Sequence, residues 1–327
     1  MSISLEDALA AHRAGKLEQA EKIYHPFIEL FPDHAQAYYL IGAVHIARME
    51  YILYRSYFDK AVETMTEQHS YWTALGNAQS QLIDYEKAIQ SYQKALELNA
   101  QNFEAWIHLG KIGVLAGKEQ EAVDALKRAR ELQAQHPEND LLAAMIDFSK
   151  GNREEAVNQL KESLKKQPDH FESLRYLAEW QIKEGHYEDA ELTLIALIEI
   201  NEWDPRVLYL KGILSHGMHD RVNAYYYLNK AIEINACYRE ALVALARLHD
   251  DAARYGKAHQ CYRQAWYLAP GEHSIYPGFI QACIRNADWD MAQALIREWS
   301  AHDRNDQDME KWQAVLTTVK PPRRRTL

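Results

Sequence analysis

Alanine returns at a fixed interval of 34 residues along this chain of 327. Counted from Ala20, the register falls on Tyr54, Ala88, Ala122, Ala156, Ala190, Ala224, Ala258 and Ala292, with no insertion or deletion between them. A fold wrapped around one central core has no reason to keep such a register, whereas a stack of like building blocks does. Nine units of this length cover residues 1–306. The repeat sets the architecture, and function has to be sought on the surfaces that the stack presents.

Within a unit the apolar spacing is helical rather than alternating. In residues 103–116, Trp106, Leu109, Gly110 and Gly113 fall three and four apart on one face, and the two glycines mark a close approach by a neighbouring helix. In residues 119–132, Ala122, Val123, Leu126 and Ala129 share a face. Gly117 and Lys118 break the pattern between them, so each unit reads as helix, tight turn, helix. Gly15, Gly117, Gly151 and Gly185 occupy the equivalent turn, where glycine accepts a positive φ after a helix end. The recurring alanine is small because the two helices of a unit touch there, and a larger side chain would overpack the contact by about 1–3 kcal/mol. Pro32, Pro168 and Pro270 share one register and mark unit boundaries, since proline cannot continue a helix interior.

This combination of identity and period resembles the tetratricopeptide repeat family. The family signature places an aromatic or Leu early in the first helix, then Leu-Gly/Ala, then Ala, an aromatic and Ala in the second helix, then Pro. It is matched by Trp72, Leu75, Gly76, Ala88, Tyr92 and Ala95, and again by Trp106, Leu109, Gly110, Ala122, Leu126 and Ala129. A third match is Leu242, Leu245, Ala246, Ala258, Tyr262, Ala265 and Pro270. The resemblance implies an all-α, right-handed solenoid of about nine helix–turn–helix repeats that binds protein partners and carries out no chemistry. The stretch AGKLEQAEKIYHPFIELFPDHAQAYYLIG is also similar to bacterial repeats that precede glycosyltransferase or sulfotransferase domains. Only 21 residues follow position 306, so the similarity points to a bacterial repeat module without an attached catalytic domain.

Two units depart from the pattern. The second, 35–68, has Met49 at the usual glycine turn and Tyr54 at the usual alanine, with Tyr51, Tyr57 and Phe58 at helical spacing around it. These aromatics are either a repacked core or a contact patch. The ninth, 273–306, carries Pro277-Gly278 in its first helix, which is expected to start near Pro277, and Ile280 at a small position. Residues 307–319 put Met309, Trp312, Val315 and Leu316 on one face and read as a C-terminal capping helix. Residues 320–327, KPPRRRTL, form a solvated basic tail, either disordered or a docking peptide for an acidic partner or membrane surface.

The formal net charge of −10 argues against binding duplex nucleic acid, which needs a basic stripe. No 18-residue apolar run signals a membrane span, and the N-terminus is amphipathic rather than a leader. Cys237, Cys261 and Cys283 are odd in number and unevenly placed, which suits reduced thiols and a cytoplasmic location. No phosphate loop or metal signature is present, and no cofactor or metal is expected. His216 and His219 read as solvated turn residues. His34, His136 and His170 share the last position of their units and are expected to cap helix starts rather than act in catalysis.

In the resembled family the first helix of each unit lines a concave face. The stripe beside the packed positions reads Thr73, Asn77, Ser80; Ile107, Lys111, Val114; Leu141, Met145, Phe148; Arg175, Glu179, Ile182; Tyr209, Ile213, His216; and Val243, Arg247, Asp250. An apolar centre of Leu141, Met145, Phe148, Ile182, Tyr209 and Ile213 is flanked by Asn77 and Lys111 on one side and by Arg175 and Arg247 on the other. If core packing leaves this stripe free, it suits a short amphipathic helix or extended segment with acidic ends. Alternatively, unit five simply packs more tightly, or Arg175 and Glu179 only pair with each other. Asn77 and Lys111 match two positions of the family's grip on a ligand carboxylate, but Thr73, Glu138 and Leu142 break that pattern. The sequence therefore favours a scaffold that holds a partner segment. The rival readings are a self-assembling module and a regulatory or substrate-presenting subunit of a separate enzyme such as a transferase.

Overall fold

The computed structural model describes residues 4–47, 51–268, 272, 274–302 and 311–315. Among these are eighteen α-helices of nine or more residues, a short helical stretch at 311–315, and no strand. They run as pairs: α1 Leu5–Arg13 and α2 Leu17–Leu30, α3 Ala35–Ala47 and α4 Tyr51–Thr64, α5 His69–Gln81 and α6 Tyr85–Leu98. Next come α7 Phe103–Leu115 and α8 Glu119–Leu132, α9 Pro137–Ser149 and α10 Arg153–Lys166, and α11 Phe171–Lys183 and α12 Tyr187–Asn201. The last three pairs are α13 Pro205–Gly217 and α14 Arg221–Ile234, α15 Arg239–Asp251 and α16 Tyr255–Leu268, and α17 Tyr276–Arg285 and α18 Trp289–His302. This is the α-solenoid class that the period predicts. No helix of the described residues is long and apolar enough to cross a membrane.

The helices group into two compact units, Met1–Trp180 and Gln181–Leu327. In the first, α1 through α10 pack in succession, and first helices also meet across repeats, α1 with α3, α5 with α7 and α7 with α9. In the second, α12 through α18 pack in succession, and α13 also meets α15.

The period has a steric cause inside each pair. All eight alanines of the register, from Ala20 to Ala292, are fully excluded from solvent. A second small position lies opposite a large one: a Cβ added to Gly42 would stand 2.7 Å from the Phe58 ring, one on Gly76 2.7 Å from Tyr92, and one on Gly212 2.7 Å from Leu228. Phe58 therefore belongs to the core of the second repeat, and Tyr57 is half-buried. The side chains of Tyr51 and Tyr54 and the turn at Met49 lie outside the described residues, as does Pro270. Gly113 approaches α8, where an added Cβ would stand 3.2 Å from the Ala122 nitrogen. One expected core position fails. Val123 is 36% exposed, and Ala125, fully buried, takes the inward place.

The tight turn repeats as faithfully as the alanine. Gly15, Gly117, Gly151 and Gly185 have φ between 70° and 90°, and Ile83, His219, Ala253 and Ala287 hold the same register at 62°, 62°, 56° and 59°. The repeated histidines cap helices: Nδ1 of His34 accepts from the Ala37 N–H, that of His136 from Glu138 and that of His170 from Ser173, each at 3.3 Å. In α17 proline falls in the first turn, as expected at Pro277. Residues 311–315 are helical, and Trp312 packs against the last core cluster, where Tyr276 stacks on Trp299 at 5.4 Å. The rest of 307–319 and the basic tail lie outside the described residues.

Candidate partner-contact surface on the first helices

In the first unit the stripe divides by polarity. Ile107 and Leu141 at its fifth position, and Met145 at its ninth, are 3%, 0% and 3% exposed. Leu141 and Met145 sit in one core cluster with Leu160, Leu177 and Trp180. This corrects the expectation that core packing leaves them free. The fifth and ninth positions border the packed face, and an apolar side chain there turns inward because leaving water is worth about 1.5–3 kcal/mol. The longer polar residues of the stripe stay out, so Asn77, Lys111 and Arg175 are half-buried, whereas the short Thr73 is buried. Phe148 is also half-buried, stacked on Trp180 with centroids 4.2 Å apart and planes at 10°.

The half-buried polar groups are not idle. Asn77 accepts from the Tyr92 hydroxyl at 2.6 Å. The carboxyl of Glu104, in the next repeat, is held below its ordinary value first by His108 and also by Asn77. Lys111 Nζ lies 2.6 Å from Glu138, again one repeat on, and His170 Nε2 lies 3.4 Å from the same carboxylate. Burial would raise the Glu138 pKa, but the His170 hydrogen bond and the Lys111 charge outweigh it and pull the carboxyl down to about 2. Arg175 is bracketed by Glu172 at 2.9 Å and Glu179 at 3.4 Å, and its guanidinium lies 4.1 Å from the Tyr176 ring centroid. Thr73 is buried and accepts from Asn102 at 3.0 Å. Arg175 thus pairs with Glu179, as one reading of the stripe expected, and with Glu172 as well, whereas the Lys111–Glu138 pair was not read from the stripe. A signal was available: Glu104, Glu138 and Glu172 place a carboxylate at one register of three successive repeats.

In the second unit Ile182, Tyr209 and Ile213 are half-buried. Tyr209 meets Tyr238 edge-on at 5.5 Å. Arg247 is exposed, and the Tyr262 hydroxyl has its pKa raised by burial, an effect that the Arg247 charge opposes. His216 and His219 are exposed, at the end of α13 and in the turn after it.

A further regularity lies between the helices of a pair. Ser91 donates to Gln79 at 2.7 Å, Gln159 to Asp147 at 2.7 Å, and Thr193 to Gln181 at 2.8 Å. These residues share one register of the first helix and one of the second. Each tie supplies a polar partner to a group that would otherwise be costly to desolvate.

Comparison with known proteins agrees with this geometry. A profile described as "Tetratricopeptide repeat" matches residues 5–63, one described as "TPR repeat" matches 76–113, and one described as "TT21 fifth ARM repeats domain" matches 137–249. No curated protein sequence matches the chain. Among solved structures, the APC/C hetero-tetramer Cut9-Hcn1 is similar over 91% of this chain and 59% of that one, at 13% identity and a TM-score of 0.58. Yeast Tom70 is similar over 91% of this chain and 62% of that one, at 16% identity and a TM-score of 0.56. At these identities the two structures speak to the fold alone. The family follows from helix pairs of fixed period, a buried alanine in each described register and profile matches in separate stretches: the chain is a member of the tetratricopeptide repeat family.

Proposed function

We propose that this chain is a non-catalytic scaffold that binds a segment of a protein partner along the first helices of its repeats. Tetratricopeptide repeats are protein-interaction modules. What supports this site, in each unit taken by itself, is first-helix residues that are not closed into the core: Asn77, Lys111, Phe148 and Arg175, half-buried, in the first unit, and the half-buried Ile182, Tyr209 and Ile213 with the exposed Arg247 in the second. Half-buried aromatics beside ordered polar groups give a partner both an apolar anchor and fixed hydrogen-bonding positions. Leu141 and Met145 support the stripe from beneath. The three free thiols suit a cytoplasmic setting.

Phe148→Asp is the test, since Met145 is closed into the core and its replacement would report on folding. A tagged wild type, Phe148→Asp and Val123→Asp are compared in pull-downs from the native host's lysate, read by mass spectrometry. Val123 is 36% exposed on a second helix and serves as the control. A protein lost with Phe148→Asp and kept with Val123→Asp supports the first-helix site, and equal recovery in both removes it.

One observation favours a second reading, self-association. Leu192, Ile195, Val222 and Tyr226 on α12 and α14 are 67%, 50%, 80% and 51% exposed. Apolar side chains so exposed on second helices of neighbouring repeats suit a contact between copies. Light scattering over a concentration series, with Leu192→Glu/Val222→Glu beside the wild type, separates the readings, because a strict monomer excludes this one.

A further inference from the structure

His45 breaks the regularity of buried ties. It occupies the first-helix register of Gln79, Asp147 and Gln181, and the second-helix position opposite it is Tyr57. Instead of a hydrogen bond, the two rings stack, with centroids 5.2 Å apart and planes at 5°. The imidazole, only 2% exposed, turns toward the preceding repeat, where its Nε2 stands 3.9 Å from a carboxylate oxygen of Glu21 on α2. His25, one helical turn along, places its own Nε2 3.5 Å from the same oxygen. One ligand atom from each of the three residues lies within 4.8 Å of the others. The step from α2 to the following first helix is a real contact register, because Tyr225 and His249 meet across it in the second unit, with Oη and Nδ1 3.3 Å apart.

Two imidazole nitrogens and one carboxylate oxygen are the donor set of a late first-row divalent ion. Ligand atoms of one tetrahedral zinc stand about 3.3 Å apart, given bonds of about 2.0–2.1 Å. The Glu21 oxygen is close to that spacing from both histidines. Tyr57 orients the pair, stacked on His45 and edge-on to His25 at 6.2 Å. His25 is 43% exposed, so water reaches the site and can fill the remaining coordination position.

We propose that Glu21, His25 and His45 form a binding site for Zn²⁺ or a similar late first-row divalent cation, which clamps the first repeat to the second. The clamp joins α2 to α3 at the repeat where the alanine register is interrupted by Tyr54. Sequence spacing missed it because the third ligand comes from the next repeat.

Zn²⁺ titrated calorimetrically into the tag-free full chain, and Co²⁺ followed by its visible absorption, test the site. One ion per chain is expected. His25→Gln and Glu21→Gln should each weaken binding by at least about tenfold. His25 is half-exposed, so its variant keeps the fold, and His45→Phe retains the stack on Tyr57 while removing a ligand. The control is His108→Gln, because His108 also stands 3.5 Å from a glutamate, Glu104, but in a pair that the three-residue cluster does not include. Zn²⁺ should also slow amide exchange in residues 17–47 of the wild type and not of His25→Gln. Absence of binding, binding unchanged in His25→Gln and Glu21→Gln, or an equal loss in His108→Gln overturns the proposal.

Discussion

At one position in each described repeat turn the backbone enters the left-handed region, whatever residue sits there. Four of these positions are glycine, while Ile83, His219, Ala253 and Ala287 carry a side chain. A Cβ there costs about 1–2 kcal/mol, partly offset by the greater freedom of glycine in the unfolded chain. Ala253→Gly and Ala287→Gly, both at exposed sites, should therefore each stabilise the fold by about 0.5–1 kcal/mol. Gly117→Ala should destabilise it by a similar amount, although no atom lies within 4 Å of the added Cβ. Urea unfolding of the three variants checks this, and a lower midpoint for both alanine replacements would refute the strain argument. The alanine register makes the opposite point, since its constraint is volume. Ala122→Leu should cost about 1–3 kcal/mol. The sequence announced the glycine turns and the alanines because each is a residue type selected by one physical need. The turns at Ile83, His219, Ala253 and Ala287 are legible only through the period.

Between elements, much of what joins repeats in the first unit is polar. Lys111, Glu138 and His170 come from α7, α9 and the turn before α11, so one carboxylate ties two successive repeats and reaches the start of a third helix pair. Folding lowers the Glu138 pKa from the ordinary 4.5 to about 2. The stabilisation is then fully present above pH 4.5 and is lost as pH falls through the folded value, because the unfolded chain takes up the proton first. Glu138→Gln should cost about 1–3 kcal/mol near neutrality by leaving Lys111 half-buried without its partner. It should also flatten the decline in stability between pH 4.5 and 2, measured by urea midpoints across that window. The candidate stripe was only partly legible for the same reason. Periodicity identifies the face a residue belongs to, but whether Met145 sinks or Lys111 pairs depends on the adjoining repeat. Asn77, Phe148 and Arg247 could be placed from their own helix, whereas Leu141 and Met145 required knowledge of Leu160 and Leu177.

Across each unit, contacts run between helices close in the chain, so a local defect should stay local. Trp299 is 2% exposed and packs in the cluster around Tyr276. Trp299→Ala should cost about 3–5 kcal/mol in that cluster. Amide exchange should accelerate in residues 274–302 and remain unchanged in 69–132, and uniform acceleration would show that the chain unfolds as one cooperative block. The overall class was legible from the period alone, since a fixed register across 1–306 admits stacked helix pairs and little else. Neighbour-only packing also governs how the protein comes into being. Once α6 has left the ribosome, the helices α1–α4 already have the neighbours they pack against, and no distant segment has to be awaited. Burial can keep pace with elongation, so that a nascent chain shows the cell one raw repeat face at a time rather than a long sticky intermediate.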